Sequence, residues 1–236
     1  MNLELPVIDK RNLVLEVHGR LSEIYGKHIG YFHDLDPLSE LVSALLSHRT
    51  KNRDSGKAFD NLLIEFGSWE KVRDASMDRV QSAIMCCTWP EQKAPRIQQV
   101  LRLITERLGS LSLNFLGDME VEDAREWLET LPGVGPKTSA AVISFSYLRG
   151  KALAVDSHHY RVAVRVGMID PKVNEGRAHR ILENLLPSDF TAQEVYDHHQ
   201  VMMRHGKKVC TYFSPNCKNC VLLDICPMGR LLVKDM

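Results

Sequence analysis

Eight residues in the second half of the chain leave little freedom about what surrounds them. In Leu131-Pro132-Gly133-Val134-Gly135-Pro136-Lys137-Thr138 two glycines flank one apolar residue, with helical patterns on either side. This spacing predicts a helix-hairpin-helix, because glycine permits the tight reversal and lets backbone N–H groups come close to a ligand. A helix N-terminus favours an anion. The expected occupant is therefore a phosphate, met by Gly133, Val134, Gly135 and Thr138. Pro136 suits the first helical position, which puts the Lys137 ammonium where the helix begins. Asp156, in Ala154-Val155-Asp156-Ser157-His158, follows one helix and one turn later. A lysine and a carboxylate brought to one cleft would be a nucleophile and its partner. By itself the hairpin fits equally a DNA-binding module in which Lys137 only touches a phosphate.

The rest of the chain reads as helix. Leu13, Val17, Leu21 and Ile24 repeat at helical spacing over Asp9–Tyr25, and Gly26 ends the run. Pro37 opens Leu38–Leu46, apolar on nearly all faces and so expected at the centre. The polar stretch Ser47–Asn52 interrupts before Ala58, Leu62, Leu63 and Phe66 form a stripe closed by Gly67. Short helices are expected over Trp69–Ala75 and Met77–Met85, then a loop over Cys86–Pro90 and a helix over Lys93–Leu108. The hairpin helices are Glu122–Leu131 and Pro136–Leu148; the second is small and apolar through Ala140, Ala141, Val142 and Ile143, so its partner must pack closely. Asp156 caps a helix to Val166, and further helices are expected over Ala178–Leu185 and Thr191–His205. No convincing alternating strand occurs. The fold class expected is all-α.

At 236 residues, 44% apolar and 25% charged, the composition is that of a globular protein. No apolar run approaches the ~20 residues that span a bilayer, and Met1–Lys10 lacks the pattern of a signal peptide. A cytoplasmic protein, nucleoid-associated in a bacterium or archaeon, with no membrane partner, is expected. The 30 basic and 30 acidic residues cancel, so the overall field gives no support for nucleic-acid binding. From Lys151 onward, twelve Lys and Arg stand against nine Asp and Glu, a mild local excess.

Cys210, Cys217, Cys220 and Cys226 are spaced Cys-x6-Cys-x2-Cys-x5-Cys. A cluster of thiols in a chain of this class argues metal before disulfide. Thiolates select zinc or an iron–sulfur cluster, and a single CxxC pair in so compact a run favours the cluster without excluding zinc. Cys86 and Cys87, by contrast, read as packing residues, as do Met202 and Met203. His158, His159, His198 and His199 read as capping, packing or phosphate-side groups.

Taken together, Leu131–Thr138, Ala154–His158 with Arg161-Val162 after it, His205-Gly206 and the four cysteines resemble the iron–sulfur DNA glycosylases of the helix-hairpin-helix superfamily, and within them endonuclease III. The resemblance spans roughly residues 38–227. It implies two helical domains with a DNA-binding cleft between them. The first is a six-helix domain over 30–150, with the hairpin at about 122–148; the second is a cluster domain formed by 1–29 plus 151–236. It implies a [4Fe-4S] cluster on the four cysteines, bracing a loop in which Lys218 offers positive charge to phosphates. It also implies a monomeric base-excision enzyme acting on double-stranded DNA that contains a damaged base or an abasic site, with oxidised pyrimidines as the expected substrates. Lys137 would be the nucleophile and Asp156 its assistant; relatives without this lysine remove the base only, so Lys137 implies AP-lyase activity too. The rival readings are a glycosylase for a mismatched, deaminated or alkylated base, and a lesion-binding protein that does not cut.

Two positions depart from the family pattern. Arg49 stands where many relatives carry a glutamine that fills the gap left by the extruded base, and arginine there could hydrogen-bond an orphaned guanine or simply hold a phosphate. Trp89 stands where relatives place an apolar wedge; it could stack on an exposed base edge, or it could be a core tryptophan.

Overall fold

A computed structural model describes residues 9–234; the expectation about Met1–Lys10 falls mostly outside them. Among the described residues every regular element is helical, as expected, and no helix is long and apolar enough to cross a membrane. The helices are α1 (Lys10–Tyr25), α2 (Pro37–Ser47), α3 (Asn52–Phe66), α4 (Trp69–Asp74), α5 (Met77–Ala83), α6 (Pro90–Leu108), α7 (Val121–Glu129), α8 (Pro136–Phe145), α9 (Ser157–Val166), α10 (Glu175–Leu185), α11 (Ala192–Lys208) and α12 (Pro227–Lys234). Single 3-10 turns occur at Asn114–Asp118 and Cys217–Asn219.

The chain divides into two compact units. One is continuous, Phe32–Gly150, and the other joins the residues up to Tyr31 with those from Lys151 onward.

In the continuous unit α2 is the axis. Asp36 caps it by accepting from the N–H groups of Leu38 and Ser39 at 3.0 and 3.1 Å, and Leu38, Leu41, Val42, Leu45 and Leu46 are buried along it. It packs against α3, α6 and α8. Helix α8 comes close because Ala140 and Ala141 give it a small face. It ends at Phe145, three residues before the sequence suggested, because Ser146 turns extended and Tyr147 N–H leaves to bond Leu35 O at 2.8 Å. In α3 Leu63 is half-exposed, so the buried face runs through Ala58, Phe59, Leu62 and Phe66 instead. Helix α6 starts at Pro90, the residue that suits a first helical position, and so begins three residues earlier than expected.

In the discontinuous unit α11 is the axis, with α1 and α9 against it. Leu13, Val14, Val17 and Leu21 face inward from α1, whereas Ile24 stays exposed. Arg20 ties α1 to the cysteine-rich segment through Val221 O at 2.9 Å and Asp224 Oδ2 at 2.9 Å. Thr191 and Glu194 form a reciprocal capping box at the start of α11. Helices α9 and α11 touch at Gly206, where a Cβ would lie 2.8 Å from both the Cβ and the carbonyl oxygen of His158.

A histidine cluster fills this core. His159 and His198 are buried with ring centroids 5.2 Å apart, and His18 lies 5.5 Å from His198. Burial pushes His198 down to about 3. His159 lies well below its ordinary value through burial and the nearby His198, His199 and His179, and His18 is lowered by burial against the opposing pull of Asp197 and Glu194.

Two measurements follow from these contacts. Gly206→Ala, which helix propensity alone would favour, is expected to lower unfolding free energy by about 1–3 kcal/mol in denaturant titration, because the added methyl meets backbone. Neutral buried histidines gain protons only on unfolding, from about pH 6.5 downward. Stability should therefore fall as pH drops below about 6.5, by roughly 1.4 kcal/mol per pH unit for each histidine fully in that window; a denaturation midpoint unchanged from pH 7 to pH 5 would contradict this.

Candidate active site

The hairpin joins α7 to α8. Leu131 N–H donates to Leu128 O at 3.0 Å and Val134 N–H to Leu131 O at 3.1 Å, and both side chains are buried, which pins the turn. Gly133 has φ +81° and faces solvent, and a Cβ there would run into the Arg96 guanidinium. Gly135 caps α8, its carbonyl accepting from the N–H groups of Thr138 and Ser139 at 2.9 Å each. The N–H groups of Gly133, Gly135 and Lys137 are left without an acceptor among the described residues, which is the arrangement that suits a phosphate oxygen. Lys137 is the second residue of α8 and half-buried.

Val134 and Thr138 differ from expectation. Val134 points into the core and spends its N–H inside the turn. Thr138 is 3% exposed, with its hydroxyl 3.0 Å from His48 Nε2 and its N–H on Gly135 O. Both side chains are buried, and both N–H groups bond within the hairpin, so these residues fix the turn from below. A sequence motif marks such residues without telling which way they face.

The His48 contact brings the end of α2 to the start of α8. Burial pushes His48 down to about 4, with the cations Lys137, Lys93 and Arg96 acting in the same sense, so its imidazole is neutral. Burial also raises Glu40, farther back on α2, to about 8, against Arg149 and Lys137. The exposed Arg49 follows His48 at φ +50°, and Trp89, 47% exposed, sits at φ +55° at the start of α6. Trp89 is not a core residue. Positive φ in bulky residues is strained and concentrates at functional positions. Thr50 joins the two loops: its Oγ1 accepts from Thr88 N–H at 3.1 Å and from Lys93 Nζ at 2.6 Å, while Lys93 also reaches Leu46 O at 2.5 Å. Lys93 is buried, and nothing in the sequence distinguished it from an ordinary helix-surface lysine.

In the other unit, Asp156 follows the buried run Ala152–Val155 and caps α9, its Oδ1 accepting from His159 N–H at 2.8 Å. It is half-buried, and its second oxygen has no partner among the described residues. Arg161, one turn along α9, reaches Ser157 O at 3.4 Å, His158 Nδ1 at 3.0 Å, Gly206 O at 2.7 Å and Cys210 O at 2.9 Å. One guanidinium therefore ties the Asp156 turn to the start of the cysteine segment.

Cys210, Cys217, Cys220 and Cys226 line one pocket together with Arg165 and His205. Among the described residues no three His, Cys, Asp or Glu side chains stand close enough to share a single metal ion. Donors nevertheless address the sulfurs: Arg165 Nη1 lies 3.3 Å from Cys210 Sγ, Leu222 N–H 3.4 Å from Cys220 Sγ, and Gly229 N–H 3.2 Å from Cys226 Sγ. An all-sulfur donor set met by N–H groups fits an iron–sulfur cluster, whose properties are tuned by such bonds. Lys218, between the second and third cysteines, is exposed.

No family model matches the chain. It is similar to the endonuclease III of Thermotoga maritima, 29% identical over 84% of this chain and 85% of that protein. It is also similar to the endonuclease III of Escherichia coli K12, 26% identical over 90% of this chain and 93% of that one. A putative DNA glycosylase of Arabidopsis thaliana is 29% identical over 77% of this chain, which spans 58% of that protein's length. Among solved structures, a non-covalent endonuclease III–DNA complex has the same fold at TM-score 0.79 and 21% identity, covering 95% of this chain and 98% of that one. A thermostable thymine-DNA glycosylase matches at TM-score 0.75 and 20% identity, covering 94% and 97%.

The clasp on Thr50 gives a direct test. Lys93→Met, which keeps the apolar stem and removes the donor, is expected to cost about 1–3 kcal/mol in thermal or denaturant unfolding by taking the ammonium donor from the buried Leu46 O.

Proposed function

We propose that this chain, endonuclease III-like in sequence and in fold, is a base-excision DNA glycosylase that also cleaves the strand at the abasic site, and that its substrates are oxidised pyrimidines in duplex DNA. The observation that carries the reading is Lys137 at the start of α8, beside a hairpin whose free N–H groups suit a phosphate. The names and the extent of the relatives support it.

The chemistry follows from the residue types. An enzyme acting on a base inside a duplex turns the nucleotide out of the stack, which exposes C1′. The Lys137 amine, once deprotonated, donates its lone pair to C1′ as the glycosidic bond breaks and the base leaves with that bond's electron pair. Opening of the sugar then gives a Schiff base. Loss of a C2′ proton expels the 3′ phosphate and cuts the strand. Asp156 stabilises the positive character that grows on the sugar or accepts the amine proton. The His159 N–H, holding one carboxylate oxygen, fixes the direction of the other. Gly133 and Gly135 grip backbone phosphate, and the neutral His48 holds Thr138 so that the hairpin does not move.

Cys210, Cys217, Cys220 and Cys226 would hold a [4Fe-4S] cluster, which would supply a rigid, charged brace and no electrons to the reaction. Around that position Arg165 and the Gly229 N–H hold the sulfurs, and Lys218 faces solvent with a charge for phosphate. Arg49 and Trp89 enter the duplex at the extruded base. Arg49, able to bond an orphaned guanine, favours as a second reading a pyrimidine mispaired with guanine.

Borohydride reduction of the protein on abasic duplex should trap a covalent adduct, which Lys137→Ala should lose entirely. Asp156→Asn should slow base release by roughly 10²-fold or more. A wild-type protein that binds such DNA and is never trapped would support a lesion-binding module instead. Single-lesion duplexes, each with four opposing bases, separate the oxidised from the mispaired substrate.

A further inference from the structure

The segment between the first two cysteines carries no cation. It reads Thr211-Tyr212-Phe213-Ser214-Pro215-Asn216, and its two aromatic side chains stand in solvent, Phe213 91% exposed and Tyr212 69%. Their rings meet edge to face with centroids 4.9 Å apart. Exposing a single apolar residue is ordinary, but two adjacent aromatics held outward form a surface for a partner. The loop beneath them is fixed. Asn216 N–H closes it on Val209 O at 3.0 Å, and Arg165 donates to Thr211 O at 2.6 Å and to Tyr212 O at 2.9 Å.

The location of the pair follows from Arg161, which reaches Ser157 O, next to Asp156, and bonds Cys210 O at the root of this loop. The exposed Lys207 follows Gly206, which abuts His158, two residues past Asp156, and the exposed Lys218 follows Cys217 at the end of the loop. The aromatic pair thus stands on a cationic stretch of the same unit that carries the proposed assisting carboxylate.

We propose that Tyr212 and Phe213 form a stacking platform for an unstacked base beside the lesion, an inference that rests on the glycosylase reading. Cations at its edge select a polyanion, and the flat apolar faces select what a nucleic acid shows once a base has left its neighbours. The contact tolerates any sequence, because every base has such a face, and it adds affinity without adding salt dependence. Lys207 and Lys218 supply the salt-dependent part.

The test uses the full-length holoprotein and an abasic duplex with 2-aminopurine next to the abasic site, titrated over a range of salt, with cluster content matched by visible absorption. The double variant Tyr212→Ala with Phe213→Ala should bind roughly ten- to hundredfold more weakly while its slope of log affinity against log salt stays that of the wild type. The change in 2-aminopurine emission on binding should be lost with it, and Tyr212→Phe should retain both. Lys218→Ala should instead shallow the slope by about one. Wild-type affinity in the double variant, a loss accompanied by a shallower slope, or an emission change that persists would each overturn the platform. Borohydride trapping in parallel separates the two levels: if the wild type is trapped and the double variant binds equally well, only the platform fails, whereas a wild type that neither binds nor is trapped removes both.

Discussion

The burial of α8 against α2 fixes more of this protein than any other contact. Ala140, Ala141, Val142 and Ile143 are small enough to bring the two axes close, and once packed they leave both helix ends no freedom to drift. One end carries the hairpin glycines and Lys137; the other carries His48 and leads into Arg49. The hydrogen bond between His48 and Thr138 is then a consequence of core packing, and core packing becomes the means by which a phosphate-binding turn and an exposed arginine keep their spacing. Burial also sets the charges there. It keeps His48 neutral beside the side chains of Lys137, Lys93 and Arg96.

The second unit relies on a different device. Arg161 satisfies carbonyls from α9, from α11 and from the first cysteine, and does so because Gly206 lets α9 and α11 meet backbone to backbone. Arg165 repeats the arrangement one turn on, holding the next two carbonyls and addressing the Cys210 sulfur. The carboxylate of Asp156, the thiols and the aromatic tip are therefore parts of one hydrogen-bonded frame, and a disturbance at the cysteines reaches the α9 turn through two guanidinium groups.

Much of this was legible in the sequence. Periodicity gave the helices, because each buries one stripe, and Asp156 marked the start of α9 through its side-chain cap. The glycine pair gave the hairpin, and spacing gave the thiols that share a pocket. What escaped was direction and extent. Thr138 and Val134 belong to the motif yet face inward, because a motif marks position along the chain and only packing decides which way a side chain turns. The end of α8 was misjudged since Ser146-Tyr147-Leu148 has helical composition, and a tertiary bond from Tyr147 to Leu35 outcompetes it. Lys93 and Arg165 find their partners, carbonyls, a hydroxyl and a thiol, more than forty residues away in the sequence, which leaves no pattern to read.

The discontinuous unit has a consequence for assembly. Everything Phe32–Gly150 needs lies in one stretch, so its core is complete as soon as that stretch has left the ribosome, and domains made this way fold as they emerge. Helix α1 packs on α11 and is clamped at Val221, 201 residues beyond Arg20, so its apolar stripe of Leu13, Val17 and Leu21 stays uncovered until those later segments have been made. The growing chain therefore carries an uncovered apolar stripe for as long as the whole of Phe32–Gly150 takes to be made.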